Sequence, residues 1–254
     1  LSDLTVTLAT ATTTLTSTAT VLVDRTAPTL TLDPFTGDNT LSAGEQASSQ
    51  ILSGTVSAAD AGQTVTLTLN DNTFRAVVQA DGTWSTTVPS SALQALTDGD
   101  YPITATVTDA AGNVTTQTQT LTVDTAAPLI TVAALADDNV LNAADILTTQ
   151  VLTGTASGAE GQTIGLYLGD GSPIATAVVS ETGTFSLDLT PEVLGSLAEG
   201  ALVFGLRVGD QAGNTTAATV TVNKVVNSAL NLVVDSVFGD NTLNALDTAV
   251  AQTI

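Results

Sequence analysis

The chain has 254 residues, of which 43% are hydrophobic, 3% aromatic and 11% charged. That is too apolar for disorder and enough to bury cores, which the scarce aromatics predict to be small and aliphatic, with Trp84 as the one large anchor. Four basic against 25 acidic residues give a charge of −21, the wrong sign for nucleic acid or anionic membranes, and the absence of Cys and His removes disulfides, thiolate and imidazole metal sites and the commonest general base.

In chain order, residues 1–24 read as the closing hairpin of a preceding repeat. Candidate strands follow at 28–33, 50–57, 64–70, 73–80, 83–89, 100–108 and 114–123. Thr64-Val-Thr-Leu-Thr-Leu and Ile103-Thr-Ala-Thr-Val-Thr alternate with period two, the mark of a half-buried strand. Asp81-Gly82 between two such runs signals a hairpin, because both turn positions favour a positive φ. Leu93 and Leu96, spaced i, i+3, predict one helical turn within 90–96. Short alternating strands with frequent turns give an all-β, immunoglobulin-like β-sandwich without the disulfide of antibody domains. No apolar run reaches the roughly 18 residues that span a bilayer.

Beyond residue 123 the pattern restarts. Val-Asp-Arg-Thr-Ala-Pro at 23–28 returns as Val-Asp-Thr-Ala-Ala-Pro at 123–128. Asp38-Asn39 with Glu45 returns as Asp138-Asn139 with Asp145, and again as Asp240-Asn241 with Asp247. Leu52-Ser-Gly-Thr matches Leu152-Thr-Gly-Thr, Gly82-Thr-Trp matches Gly183-Thr-Phe, and Asp109-Ala-Ala-Gly-Asn matches Asp210-Gln-Ala-Gly-Asn. Asp24 and Asp124 are 100 residues apart, Asp109 and Asp210 are 101. Ordered matches at constant spacing mean tandem domains. The expected divisions are 1–24, the C-terminal hairpin of a preceding repeat; 25–124 and 125–223, two Ig-like domains; and 224–254, the N-terminal part of a following repeat. A longer parent chain is expected.

With strands labelled A to G, sandwich topology puts the B–C and F–G loops at the upstream pole and the A–B and E–F connections at the downstream pole. Asp38, Asn39 and Glu45 then lie in the A–B connection of the first domain, Asp124 in the linker, and Asp210 and Asn214 in the next F–G loop beside Glu160. Residues more than 170 positions apart are predicted to meet at one junction. Two carboxylates about 5 Å apart repel by roughly 3 kcal/mol at an effective dielectric near 20, so crowded acids call for a cation. Oxygen ligands from Asp, Asn and backbone carbonyls suit calcium; magnesium prefers a tighter, wetter octahedron. The competing reading is that Asp-Asn and Ala-Gly-Asn are turn formers and nothing more. Asp81, Asp98 and Asp100 read as turn and surface acids.

Val-Asp-x-Thr-Ala-Pro, Gly-Asp-Asn-Thr-Leu-Ser-Ala-Gly-Glu and Thr-Asp-Ala-Ala-Gly-Asn together resemble the bacterial immunoglobulin-like repeats of giant, non-fimbrial, type I-secreted adhesins and biofilm-associated proteins. The resemblance implies tandem sandwiches arranged as a rod, secreted to the bacterial surface, with calcium ions and neighbouring repeats as partners and host-cell or bacterial surface receptors beyond them. It implies metal ligands at Asp24, Asp38, Asn39, Glu45, Asp109, Asp124, Asp138, Asn139, Asp145 and Asp210. Ala9-Thr-Ala-Thr and Asn223-Lys-Val-Val-Asn-Ser depart from the motifs, and Lys224 adds a positive charge near the last junction. The middle junction, with Glu45, Asp124 and Asp210, is expected to be the best formed and the last altered or empty. The expected function is a calcium-stiffened adhesin stalk; the alternative is a repeat that itself binds a glycan or protein receptor. Catalysis is not expected, since no cleft-forming insertion is visible and the acids recur in each domain.

Overall fold

The structure is a computed structural model that describes residues 2–9, 14–21 and 23–226. Strands β1 (Ser2–Ala9) and β2 (Thr14–Val21) form an antiparallel pair. The expected motifs at Asp240, Asn241 and Asp247, and most of the Ala9-Thr-Ala-Thr departure, lie outside the described residues.

Seven strands follow: β3 (Thr40–Leu41), β4 (Gln50–Thr55), β5 (Thr64–Leu69), β6 (Asn72–Val77), β7 (Thr83–Val88), β8 (Gly99–Thr108) and β9 (Val114–Val123). They make a five-stranded sheet, β3-β9-β8-β5-β6, facing the antiparallel pair β4-β7. Residues 29–33 extend the smaller sheet through Thr31 N–H to Thr55 O at 2.8 Å, Asp33 N–H to Ser53 O at 3.0 Å and a bridge from Leu30 to Val56. The same plan returns in β10 (Leu129–Val132), β11 (Val140–Leu141), β12 (Gln150–Ser157), β13 (Thr163–Leu168), β14 (Ala175–Val178), β15 (Thr184–Leu189), β16 (Gly200–Gly209) and β17 (Thr215–Lys224). Here the sheets are β10-β12-β15 and β11-β17-β16-β13-β14. The chain is thus all-β, in tandem sandwiches. No described helix is long and apolar enough to cross a membrane.

Alternation places the cores. β5 buries Val65, Leu67 and Leu69, and β8 buries Ile103, Ala105 and Val107, while the threonines between them face outward. The repeated glycine of Leu-Ser/Thr-Gly-Thr has a packing cause. Gly54 pairs across strands with Trp84, and a Cβ there would lie 2.1 Å from Thr31 O and 2.6 Å from the indole Cζ2. Gly154 pairs with Phe185, and its Cβ would lie 2.1 Å from Thr131 O and 2.6 Å from the ring. The bare backbone lets the first strand approach and the aromatic ring lie flat, so glycine and aromatic recur together.

Short helices close the poles. The predicted turn in 90–96 is α2 (Ser90–Leu93), matched by α3 (Pro191–Ser196); α1 (Ala43–Gln46) precedes both. Ser42 and Glu45 cap α1 reciprocally: Glu45 N–H donates to Ser42 Oγ, and Ser42 N–H donates to Glu45 Oε2 at 3.0 Å. Gln46 Nε2 donates to Leu93 O and Leu96 O, so the A–B and E–F connections share the downstream pole.

Candidate metal centre at the inter-repeat junction

The repeated turn residues first satisfy their own backbone. Asp38 Oδ1 accepts Thr40 N–H and Asn39 Oδ1 accepts Phe35 N–H, both at 2.8 Å. Asn39 sits at φ 65° and Asn139 at φ 61°, the left-handed region that Asn tolerates best after Gly. Asp138 and Asn139 repeat both bonds, to Val140 N–H and Leu135 N–H, and Asp145 Oδ2 accepts Asn142 N–H at 2.9 Å. Asp24 Oδ1 accepts Thr26 N–H and Asp124 Oδ1 accepts Ala126 N–H, an identical device in both linkers.

The F–G aspartates are engaged on both oxygens. Asp109 Oδ1 accepts Asn113 N–H and Ala111 N–H, and its Oδ2 accepts Asn113 Nδ2 at 2.8 Å. These bonds, led by the Asn113 side chain, hold its carboxyl below the ordinary value against an opposing push from burial. Asp210 receives Asn214 N–H at 2.8 Å and Asn214 Nδ2 at 2.9 Å.

Three segments meet between the repeats. Asn214, 6% exposed, accepts Ala43 N–H on Oδ1 at 2.8 Å, across 171 residues, and donates from Nδ2 to Asp124 O at 2.9 Å. The E–F connection joins them, since Thr125 N–H and Oγ1 donate to Asp98 Oδ1 at 2.9 and 2.7 Å. A cleft of about 290 Å³ beside these contacts is lined by Thr40, Thr122, Asp124, Gln211 and Ala212. Of the expected ligands, Asp124, Asp210 and the helix bearing Glu45 come to this junction. Asp24 and Asp109 belong to the opposite pole of the first repeat, and Asp138, Asn139 and Asp145 to the far pole of the second. Glu160, expected near the junction, turns its Oε1 toward Gly158 N–H at 3.2 Å.

The donor set is hard oxygen and fits calcium in kind. Each carboxylate oxygen keeps a lone pair after one hydrogen bond, and Asp124 uses only one of its two oxygens. Among the described residues, however, no three acidic side chains converge closely enough to hold a metal ion. Carbonyls, Asn oxygens and water would supply the remaining contacts.

Sequence reasoning missed three residues here. Asp98, read as a surface acid, anchors the linker. Asn214, placed at the junction by topology but left out of the expected ligands, is the buried centre of the joint; what the sequence did not show is that its amide bonds Ala43 N–H and Asp124 O. Lys224, expected to charge the last junction, is 5% exposed and turned inward, with Nζ donating to the carbonyls of Leu194, Gly195 and Leu197 at 3.0, 3.3 and 2.6 Å.

Residues 47–125 match a family model described as a bacterial Ig-like domain. No curated protein matches the chain. Among solved structures, the chain is similar to a Ca2+-stabilized adhesin with which an Antarctic bacterium reaches out and binds ice. Identity is 32%, 96% of this chain and 61% of that one are covered, and the TM-score is 0.50. A 1.5-MDa bacterial ice-binding adhesin shares 32% identity over 88% of this chain and 73% of its own, at TM-score 0.48. A bacterial immunoglobulin-like domain from the M. primoryensis ice-binding adhesin shares 39% identity over 39% of this chain and 99% of its own, at TM-score 0.31.

Proposed function

Because this chain belongs to the bacterial immunoglobulin-like domain family, we propose that it is a calcium-stiffened stalk segment of a large surface adhesin, secreted to the cell exterior. Two domains, 25–124 and 125–223, hold an adhesive region away from the cell, and receptors are met elsewhere in the parent protein.

The observation that carries this reading is the meeting of A–B turn, linker and F–G loop at Asn214. A hinge so placed is where oxygen ligands from two domains can share one ion. Asp124 and Asp210, with backbone carbonyls of the linker, would hold calcium there; Glu45 and Asp38 stand on the turn of the first domain. Bound calcium supplies electrostatic cross-linking of carboxylates that would otherwise repel. Without the ion, the charge of −21 favours splaying.

The test is small-angle scattering and thermal unfolding of the full chain in calcium and in EDTA. Chelation is expected to lower the melting temperature, with only a small loss of maximum dimension because the hydrogen bonds at Asn214 pass through no ion. Identical scattering and melting in both conditions would overturn the calcium reading.

A further inference from the structure

We infer that Asn214 is the acceptor half of a cation-independent latch that fixes the orientation of consecutive repeats, and that the N–H of the first residue of α1, Ala43, is its donor half. The calcium reading could fail and the latch would stand, because none of its bonds passes through an ion.

The donor is one that the first repeat cannot satisfy alone. Ser42 caps the turn by accepting Glu45 N–H, which leaves Ala43 N–H among the orphan donors at the start of a helix. The following repeat takes it up through Asn214 Oδ1 at 2.8 Å. On the other side of the amide, Nδ2 divides its two hydrogens between Asp124 O and Asp210 Oδ2, each at 2.9 Å. Asp210 therefore sets which way the amide faces. A flipped amide would point NH2 at Ala43 N–H and its oxygen at a carbonyl and a carboxylate, three unfavourable contacts in a site 6% exposed. One orientation survives, and it admits one relative placement of the three segments.

Both halves recur at the outer poles of the two repeats. Asn113 repeats the local geometry, with Nδ2 2.8 Å from Asp109 Oδ2 and 3.4 Å from the linker carbonyls of Asp24 and Thr26. Its Oδ1 takes no hydrogen bond among the described residues, and unlike Asn214 it is only half-buried. At the other end Asn142 caps its turn by accepting Ala144 N–H and Asp145 N–H, leaving Ala143 N–H without a partner among the described residues. Each repeat thus carries an asparagine at its upstream pole and, at its downstream pole, an N–H that finds no partner among the described residues of its own repeat. The pairing is head-to-tail and propagates along the chain.

Ala43→Pro tests this from the side that leaves Asn214 intact. Proline is tolerated at the first helical position and removes only the N–H that the latch uses. Ala43→Ser, which keeps the N–H, is the control, and Asn214→Ala is the second arm. Residual dipolar couplings on the full chain in EDTA report whether the two repeats share one alignment tensor. The wild type and Ala43→Ser are expected to share one; Ala43→Pro and Asn214→Ala are expected to lose it, with amide shifts inside each repeat unchanged away from the pole. A single shared tensor retained by Ala43→Pro in EDTA would overturn the latch. So would two independent tensors in the wild type under the same conditions.

Discussion

The two repeats close the same pole with different chemistry. In the first, the carbonyls of Leu93 and Leu96 accept the Gln46 amide at 3.1 and 3.0 Å, and Val123, 2% exposed, completes the core beside them. In the second, the corresponding carbonyls of Leu194 and Leu197 accept the Lys224 ammonium. Register makes the residues equivalent: Gly99 pairs with Val123 and Gly200 with Lys224. Where Gln46 stands in the first repeat, the second has Ile146. Donor and hydrophobe have changed places between the A–B turn and the last strand. The invariant is the demand of carbonyls at the end of a short helix; which strand answers it is free. A cation is a sound answer, because the negative end of the helix dipole lies there.

The largest predicted effect probes what the repeats share. Gly54→Ala and Gly154→Ala each force a methyl into a backbone oxygen and an aromatic ring, and each is expected to cost about 3 kcal/mol or more. Denaturant melts should show similar losses in both repeats. A tolerated alanine in one would mean that the shared close approach is not a shared constraint.

The next effect probes what they do not share. Lys224→Val strips three carbonyls of their donor while relieving the burial of an ammonium, for a net loss of about 2 kcal/mol. Ile146→Gln added to it recreates the solution of the first repeat and should bring stability back to within about 1 kcal/mol of wild type. Additive behaviour in that double-mutant cycle, with no rescue, would break the equivalence drawn between the two poles.

Those cases also show how far the residues alone could be read. Strands such as β5 and β8 were legible because alternation is local and burial follows it. The two-residue strands β3 and β11 were not, since two residues show no period. The repeated Asp, Asn and Gly positions were found, but their chemistry was ambiguous: the carboxylate that caps a turn is the same group that would bind calcium. Among the described residues, each expected ligand accepts a backbone N–H of its own turn. Lys224 misled because a charge reads as surface until its long stem is seen to lie in the core with only carbonyls at its tip. Repeat spacing and sandwich topology brought Asn214 to the junction, but its bonds to Ala43 and Asp124, and that of Asp98 to a segment 27 residues away, have no local pattern.

The smallest predicted effects concern the two F–G loops. The Asn113 amide, with the N–H groups of Asn113, Ala111 and Gly112, holds the Asp109 carboxyl below its ordinary value of 3.8. A folded-state value below the unfolded one means that the ionised form supports the loop. That support is fully present above the ordinary carboxylate range and is lost as pH falls through the lowered value. Following the Asp109 carboxyl carbon by NMR between neutral pH and pH 2 should show a depressed midpoint, with loop amide shifts changing in step. Asn113→Ala removes the leading cause, so its midpoint should rise toward 3.8. The second loop offers the sharper contrast, because Asn214 is held from outside by Ala43 as well as by Asp210. Its amides should therefore exchange more slowly with solvent than those of the Asn113 loop, and Ala43→Pro should erase the difference. If both loops exchange equally with Ala43 intact, the external bond adds nothing to the local turn.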